Sequence, residues 1–193
     1  TNNAELVSKG WELELSWKDR INDDFSYNAS FVLSDVKTKV TKYSNPENIL
    51  FVNGRDQFYK GKNLGEIWGY QSAGIAQSDL EMSNWLLNNQ PNFGSAWEGG
   101  DIKYIDLNGD KLIDAGAQRL GDSGDMTVIG NSTPRYSFGL NLGGRYKMLD
   151  FSAFIQGVGK RDVLLSGGAF YPGISQWQVS PYSDHLNYFR AYG

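Results

Sequence analysis

The segment DLNGDKLID, residues 106–114, places acidic and amide side chains at alternate positions, which is the spacing of a calcium-binding loop. Calcium is held by oxygen ligands, and loops of this kind supply them from positions one, three, five, seven and nine. Counted from the first aspartate, four side chains and the carbonyl of position seven would be the ligands: Asp106, Asn108, Asp110, Leu112 and Asp114. The spacing predicts a structural calcium site.

Two residues of the same segment count against a complete calcium site. Lys111 stands where such loops need glycine for a sharp turn, and Ala117 stands at position twelve, where a bidentate carboxylate is needed. Asp122 or Asp125 could replace the missing carboxylate. The alternative is a loop of Asx turns, in which the carboxylates accept hydrogen bonds from backbone N–H groups. In either case we expect the loop to be structural, with no chemistry of its own and no required cofactor.

Aromatic side chains are the second set of candidates for ligand binding. Sugar rings stack on aromatic faces, so exposed tryptophan and tyrosine in loops are candidates to contact a saccharide; ordinary packing within the loops is the alternative for each of them. The candidates are Trp68, Tyr70, Trp85 and Trp97, with Tyr171 and Trp177 further along the chain.

The composition excludes several functional classes. The 193 residues include 22 acidic and 18 basic ones, for a net charge of −4, and no basic block favours nucleic-acid binding. There is no cysteine, and His185 is the single histidine, so a zinc site and a Ser–His–Asp triad are poorly supported. We therefore expect no enzyme. The 23 glycines, 5 prolines and 14% aromatic residues are typical of an all-β chain.

Period-two alternation predicts two long antiparallel hairpins that position these candidates. In VSKGWELELSW and FSYNASFVLSD, apolar residues occupy one parity and polar residues the other, with a polar turn at KDRINDD. RYSFGLNLGGRYKM and FSAFIQGVG repeat the pattern, although Phe154 and Val158 interrupt its polar parity. Aromatic residues lie close to both short turns: Trp17, Phe25, Tyr146 and Phe151.

The predicted strands are about ten residues or longer, which is the length that crosses a bilayer with ~45° tilt. Aromatic residues near the turns are typical of the interfacial girdles of outer-membrane barrels. We therefore predict an all-β fold, an antiparallel transmembrane β-barrel segment of two hairpins. The alternative is a soluble β-sandwich that binds carbohydrate and is stabilised by calcium.

One long connection separates the hairpins. It contains a predicted short helix that begins at Ser78 with a capping box to Glu81 and buries Leu80, Trp85 and Leu86. Outer-membrane barrels combine short periplasmic turns with long external loops. The predicted organisation is a first barrel hairpin at 1–41, an extracellular loop region at 42–134, a second barrel hairpin at 135–160 and a further extracellular loop segment at 161–193. Four strands cannot close a barrel, so we expect the chain to be part of a larger polypeptide.

Three sequence blocks in one order carry a family resemblance. They are GDIKYIDLNGDKLID, then D-x-x-x-I-G-N-x-x-P-x-Y-x-x-G-x-N from Asp125 to Asn141, then D-x-S-x-x-x-Q-G from Asp150 to Gly157. The sequence from about residue 4 to 162 resembles the late barrel region of the SusC/RagA family of TonB-dependent outer-membrane transporters. Lys111 departs from the family's usual glycine, and the family's N-terminal plug and TonB box have no counterpart in this sequence.

The resemblance implies a function and a set of partners. The intact protein would be a plugged barrel in the bacterial outer membrane that imports an oligosaccharide or a peptide. TonB would supply the energy through the plug-containing part, and a SusD-like surface lipoprotein would cover the barrel as a lid. These implications come from the family and are expectations for this chain.

Overall fold

The computed structural model describes residues 4–94, 96–165 and Ser183. Tyr171, Trp177 and His185, with most of the segment 161–193, lie outside the described residues. The described elements are β1 (Ala4–Arg20), β2 (Phe25–Tyr43), β3 (Phe51–Val52), β4 (Arg55–Asp56), β5 (Glu66–Tyr70), β6 (Ser72–Ile75), α1 (Asp79–Leu86), β7 (Gln90–Pro91), β8 (Ile102–Tyr104), β9 (Leu112–Ile113), β10 (Met126–Asn131), β11 (Arg135–Tyr146) and β12 (Leu149–Lys160).

The four long strands form one antiparallel sheet in the order β1–β2–β11–β12. The predicted hairpins are β1–β2 and β11–β12, and the pairing of β2 with β11 joins them. The shorter strands form four two-stranded sheets: β3–β4, β5–β10, β6–β8 and β7–β9. The predicted all-β fold, with two antiparallel hairpins and one short helix, is confirmed.

The register of the four-stranded sheet aligns the apolar parity of every strand on one face. Phe31 lies opposite Leu15 of β1 and opposite Leu140 of β11, which in turn lies opposite Ile155 of β12. Since directly opposed residues point to the same side, this row crosses all four strands. The neighbouring row is Trp17, Ala29, Leu142 and Ala153. We call this side of the sheet the apolar face.

Glycine allows close packing of aromatic rings on the apolar face. The ring of Phe151 lies over Gly144, where an added Cβ would overlap the ring, and Phe138 lies over Gly157 in the same way. A cross-strand ring thus covers the backbone where a side chain is missing. Gly144 and Gly157, which stand at apolar-face positions of their strands, therefore have a packing role on this face.

Two short turns close the hairpins. In the turn at 21–24, the Asn22 side-chain oxygen accepts hydrogen bonds from the N–H groups of Asp24 (3.0 Å) and Phe25 (2.8 Å). The other turn consists of Lys147 and Met148, with Lys147 at φ 54°, the left-handed conformation that tight hairpins require. The predicted aromatic residues gather beside these turns, since the Phe25 and Tyr146 rings are 6.5 Å apart.

Helix α1 has the predicted N-terminus but a different buried side. The Ser78 hydroxyl accepts a hydrogen bond from the Glu81 N–H at 3.2 Å, which satisfies one of the free N–H groups at the helix start. Leu80 was predicted to be buried, and this was wrong: Leu80 is 72% exposed, whereas Met82 is buried. In the described part of the chain, no helix has both the length and the hydrophobicity to span a membrane.

The chain divides into two compact units. The first contains the four-stranded sheet and comprises the described residues up to Ser44, Tyr59–Glu66 and Asn131–Asp162. The second comprises Asn45–Phe58, Ile67–Gly130 and the described residues from Val163 onward. The aspartate loop and the candidate aromatic residues lie in the second unit.

Candidate functional site

Four aromatic rings of the second unit form a cluster, which we call the aromatic cluster: Tyr70, Phe93, Trp97 and Tyr104. The ring centroids of Phe93 lie 5.2 Å from Tyr70, 5.8 Å from Trp97 and 5.5 Å from Tyr104. Most of these contacts are edge-to-face, the arrangement that aromatic quadrupoles favour. All four side chains are half-buried, so part of each ring remains accessible to a ligand.

Short elements position the aromatic cluster. Tyr70 is the last residue of β5 and Tyr104 is the last residue of β8, which pairs with β6 through Ser72 opposite Tyr104. The loop after β7 supplies Phe93 and Trp97. Gly94 lies between them at φ 76°, where an added Cβ would come within 3.0 Å of the Trp97 ring. Glycine at this position therefore lets the loop fold the two rings together.

Trp85 connects the helix to the aromatic cluster. Its indole N–H donates a hydrogen bond of 2.7 Å to the Tyr104 carbonyl, and the Lys103 ammonium lies 5.5 Å from the centroid of its ring. The same ammonium forms an ion pair with Glu81 on α1. This hydrogen bond to Lys103 is the main reason that the pKa of Glu81 lies below its usual value. Helix α1 is thus held to β8 by a hydrogen bond and an ion pair.

Tyr70 has an altered acidity. Burial raises the pKa of its phenol above the usual value, and the nearby carboxylates of Asp114 and Asp125 raise it further. Both effects disfavour the phenolate. Tyr70 therefore stays protonated at physiological pH and can offer both a hydrogen-bond donor and an apolar ring.

Asp125 is the central acceptor of the aspartate loop, residues 106–125. Its side chain is fully buried. One carboxylate oxygen accepts from the N–H groups of Leu107 (2.6 Å) and Asn108 (3.3 Å), and the other accepts from the N–H of Asp114 (3.0 Å). The backbone N–H of Asp125 donates to the Asp114 carbonyl at 2.9 Å. One side chain thus fixes both ends of the predicted calcium segment.

The predicted ligand side chains form local Asx turns. Asp106 accepts from the N–H groups of Gly109 (2.6 Å) and Lys111 (2.7 Å). Asn108 accepts from the Asp110 N–H, and Asp110 accepts from the N–H of Leu112. The Asp114 carboxylate accepts from the Gly116 N–H at 2.8 Å. Lys111 adopts φ 71°, which agrees with the strained turn expected at a non-glycine residue there.

The electrostatics of Asp106 follow from these hydrogen bonds. Burial raises its pKa, but the N–H groups of Lys111 and Gly109 and the neighbouring amides outweigh that effect, so its pKa lies below the usual value. Among the described residues, no group of three or more His, Cys, Asp or Glu side chains is arranged to hold a metal ion. The calcium site, including the Leu112 carbonyl, stays a prediction. The hydrogen bonds favour the alternative Asx-turn loop.

The sequence predicted two of the four rings of the aromatic cluster. Tyr70 and Trp97 both contact Phe93 and Tyr104, and Trp85 is hydrogen-bonded to the backbone of Tyr104. Trp68 is half-buried on β5, two residues before Tyr70. Phe93 and Tyr104 were missed. Tyr104 could have been found, because it lies within the block GDIKYIDLNGDKLID two residues before the aspartate loop, whereas Phe93 has no signal beyond its type.

The chain is similar in sequence to several known receptors. No protein-family model matches the chain. TonB-dependent receptor P3 of Formosa agariphila is 26% identical over 163 residues, covering 80% of this chain and 15% of that protein. TonB-dependent receptor P26 of the same organism is 27% identical over 168 residues, covering 84% and 16%. A third, TonB-dependent receptor P39, is 25% identical over 181 residues, covering 79% and 16%.

These similarities extend over most of the chain but only a small part of each relative. The chain spans about 15 to 16% of the length of the curated relatives it matches. Together, the matches support the TonB-dependent receptor family for this chain.

Proposed function

We propose that the chain forms part of the wall and surface loops of a SusC-like TonB-dependent importer in the bacterial outer membrane. In this proposal, the four long strands belong to a larger transmembrane barrel. The intact protein takes up an oligosaccharide or a peptide, works with TonB, and is covered by a SusD-like lipoprotein. It is a transporter and performs no catalysis. The order of the three sequence blocks favours the SusC/RagA group within the receptors.

The observation that carries the proposal is the exposed apolar face of the sheet. Trp17 is 63% exposed, Leu15 57% and Ile155 53%, although each lies in a row of apolar side chains. Strands β1 and β2 contain 17 and 19 residues, and β11 and β12 contain 12 each. All four exceed the length needed to cross a bilayer at a tilt. A large apolar surface of this kind requires a non-aqueous neighbour, and lipid is that neighbour in our proposal.

The opposite face of the sheet suits the lumen of a transporter. Serine, asparagine and glycine predominate there, and Asn141 contacts the Ser30 hydroxyl at 3.4 Å across β11 and β2. The charged residues Glu12 and Glu14 lie on the same side of β1. Outer-membrane barrels alternate apolar residues toward lipid with polar residues toward a wet interior. The interruption by Phe154 and Val158 leaves two apolar side chains on this polar side.

The aromatic cluster is our candidate for substrate contact. In the proposed topology, residues 42–134 are extracellular, so Tyr70, Phe93, Trp97 and Tyr104 would lie where a substrate first meets the protein. Each half-buried ring presents apolar area at little entropic cost, because the cluster already holds it in place. A saccharide would stack on these rings and hydrogen-bond to the protonated Tyr70 phenol.

The alternative of a soluble, calcium-stabilised β-sandwich is not favoured. A sandwich buries one face of its sheet against a second sheet about 10 Å away. In the first unit, the apolar face of the described sheet remains exposed, including Trp11 at 49% and Phe151 at 56%. A sandwich would also require the calcium site that the loop geometry leaves as a prediction.

Fractionation combined with genetics tests the proposed function. The intact protein should occur in the outer-membrane fraction and require detergent for extraction. Deletion of its gene should abolish uptake of one class of oligosaccharide or peptide, as should deletion of the gene for TonB. The adjacent gene should encode a lipoprotein of the SusD type. Recovery of the intact protein as a soluble monomer, or uptake that persists without TonB, would contradict the proposal.

A further inference from the structure

Three lysines lie on the apolar side of the sheet, beyond the rows of apolar residues. Lys9 of β1 is directly opposite Lys37 of β2, and Lys39 is opposite Val7. The next residue of β1 on this side is Trp11. These positions lie at the end of the hairpin away from its short turn. We call this group the lysine cluster.

The lysine cluster is electrostatically unbalanced. Directly opposed side chains lie about 5 Å apart at Cβ, and like charges at that distance are unfavourable. Among the ion pairs of the described residues, none involves Lys9, Lys37 or Lys39. Asp35 attracts Lys37, but it forms a two-pronged ion pair with Arg135, so this single acid faces four cations. A bound anion would therefore relieve repulsion that the described side chains leave in place.

A cavity of about 730 Å³ lies at the lysine cluster. The three lysines line it together with Trp11, the Asp35–Arg135 pair and several neutral residues: Val7, Gly10, Thr41 and Asn63. All of these residues belong to the first unit. The cavity combines cations with an indole and a valine, and it continues the apolar face at its end. An anion without an apolar portion would make no favourable contact with the Val7 and Trp11 side chains of the cavity.

We propose that this cavity binds the phosphate-bearing headgroup of a lipid in the outer leaflet of the membrane. The inference rests on the proposed function, because the transmembrane orientation puts the long connections outside and the lysine cluster at the outer leaflet. Phosphate oxygens accept hydrogen bonds from the lysines, and Val7 and Trp11 contact the upper part of the acyl chains. Interfacial lysines near a membrane surface attract anionic headgroups in this way.

The test measures lipid binding to the intact protein in phosphatidylcholine nanodiscs. Diphosphorylated lipid A is titrated in, and bound lipid is counted by native mass spectrometry. The variant is Lys9→Gln/Lys37→Gln/Lys39→Gln. The matched control, Lys18→Gln/Lys147→Gln/Lys160→Gln, removes the same charge at other positions. Each lysine near an anionic surface accounts for about a fivefold change, so the first variant should bind about a hundredfold more weakly. The control should bind as the wild type does.

Two results would overturn the proposal. One is equal binding of lipid A by the wild type and the lysine-cluster variant. The other is displacement of bound lipid A by an equal concentration of inorganic phosphate, which would assign the cavity to a soluble anion. If the variant Lys9→Arg/Lys37→Arg/Lys39→Arg binds lipid A as the wild type does, this would support attraction of the headgroup by the positive charges. Uptake by the Lys→Gln variant is measured in parallel and should remain normal. Absence of uptake by the wild type would contradict the proposed function without changing the lipid result.

Discussion

The first and second units place their large side chains in different environments. The four-stranded sheet of the first unit exposes many of its large apolar residues, including Trp17 at 63% and Leu149 at 71%, although Val40 of β2 is buried. The second unit instead buries a small core, Leu50, Ala76, Met82 and Ile113, beside the fully buried Asp125. Under the proposed function, the sheet has lipid as its neighbour, whereas the loop region carries its own core and satisfies its backbone with aspartate carboxylates.

Under the proposed function, the two units of this chain face different solvents, lipid and water. A strand pair satisfies its backbone within the sheet and can present any side chain outward, so lipid can replace a packed core. A long loop has few ladder hydrogen bonds, so carboxylates and amides must accept its N–H groups. Substitutions in the two regions should consequently have different effects, and the following predictions test this difference from the largest effect to the smallest.

Removal of the Asp125 carboxylate should have the largest effect on the loop region. Asp125→Ala leaves three backbone N–H groups without their acceptor, at about 1–3 kcal/mol each and ~3–6 kcal/mol together. Hydrogen exchange at Leu107, Asn108 and Asp114 should accelerate accordingly. The control is Asp122→Ala, since the Asp122 carboxylate accepts only a long 3.4 Å hydrogen bond from the Ala117 N–H. Equal acceleration in both variants would contradict the central role of Asp125.

A charge on the apolar face should destabilise the sheet in a membrane. Leu15→Arg places a guanidinium within an apolar row and should cost about 2–4 kcal/mol if the row faces the middle of the bilayer. The measurement is reversible unfolding of the intact protein from lipid vesicles in guanidinium. Ser16→Arg, on the other face of the same strand, is the control and should cost less than about 1 kcal/mol. A larger cost for Ser16→Arg than for Leu15→Arg would show that the polar face of the sheet, and not the apolar face, contacts lipid.

Loss of the helix cap should have a moderate, local effect. Ser78→Ala removes the acceptor of the Glu81 N–H and should cost about 1 kcal/mol. Hydrogen exchange within α1 should report it, while the strands of the sheet should be unaffected. Ser83→Ala, at an exposed position inside the helix, is the control and should be close to neutral. An equal acceleration in β1 or β12 would contradict a local role of the cap.

Acid should loosen the aspartate loop. The pKa of Asp106 is lower in the folded loop than in the unfolded chain, so its stabilisation is complete above about pH 4. That stabilisation is lost as the pH falls through the lower, folded pKa. Amide exchange at Gly109 and Lys111 should become faster in this acidic range, by less than the effect of Ser78→Ala. Asp106→Asn should remove the pH dependence, and its persistence would assign the transition to another group.

Removal of divalent cations should have the smallest effect. If the Asx turns alone hold the loop, amide exchange at Gly109, Lys111 and Gly116 should be the same in EDTA and in excess calcium. The wild type is compared with Asp110→Asn, which would weaken a calcium site but retains an acceptor for Leu112. Calcium-dependent protection that is lost in Asp110→Asn would re-establish the calcium site predicted from the spacing.

The sheet could be predicted from the sequence more completely than the loop region could. Period-two alternation gives each strand its two faces, so Leu15, Phe31, Leu140 and Ile155 could be assigned to one side before their register was known. The pairing of β2 with β11 links positions about a hundred residues apart, and the alternation does not specify it. The glycines gave no indication that Phe151 would cover Gly144. In these strands, most of the information lies in neighbouring residues.

The loop region depends on contacts that local patterns do not encode. Ser78 was found because a cap involves residues three positions apart. Leu80 was misplaced because an eight-residue helix has too few turns to define its buried side. Asp125 was considered a replacement ligand, yet its role as the acceptor for Leu107 and Asp114 depends on the folded path of the loop. Phe93 was missed for the same reason.

The most direct test of the exposed apolar face is depth-dependent quenching by brominated lipids. Single-tryptophan variants of the intact protein, retaining Trp11, Trp17, Trp85 or Trp97, are reconstituted into vesicles whose lipids carry bromine near the headgroup. We predict strong quenching of Trp11 and Trp17 and little quenching of Trp85 and Trp97. Unquenched fluorescence from Trp11 and Trp17 in the reconstituted protein would contradict a lipid-facing sheet.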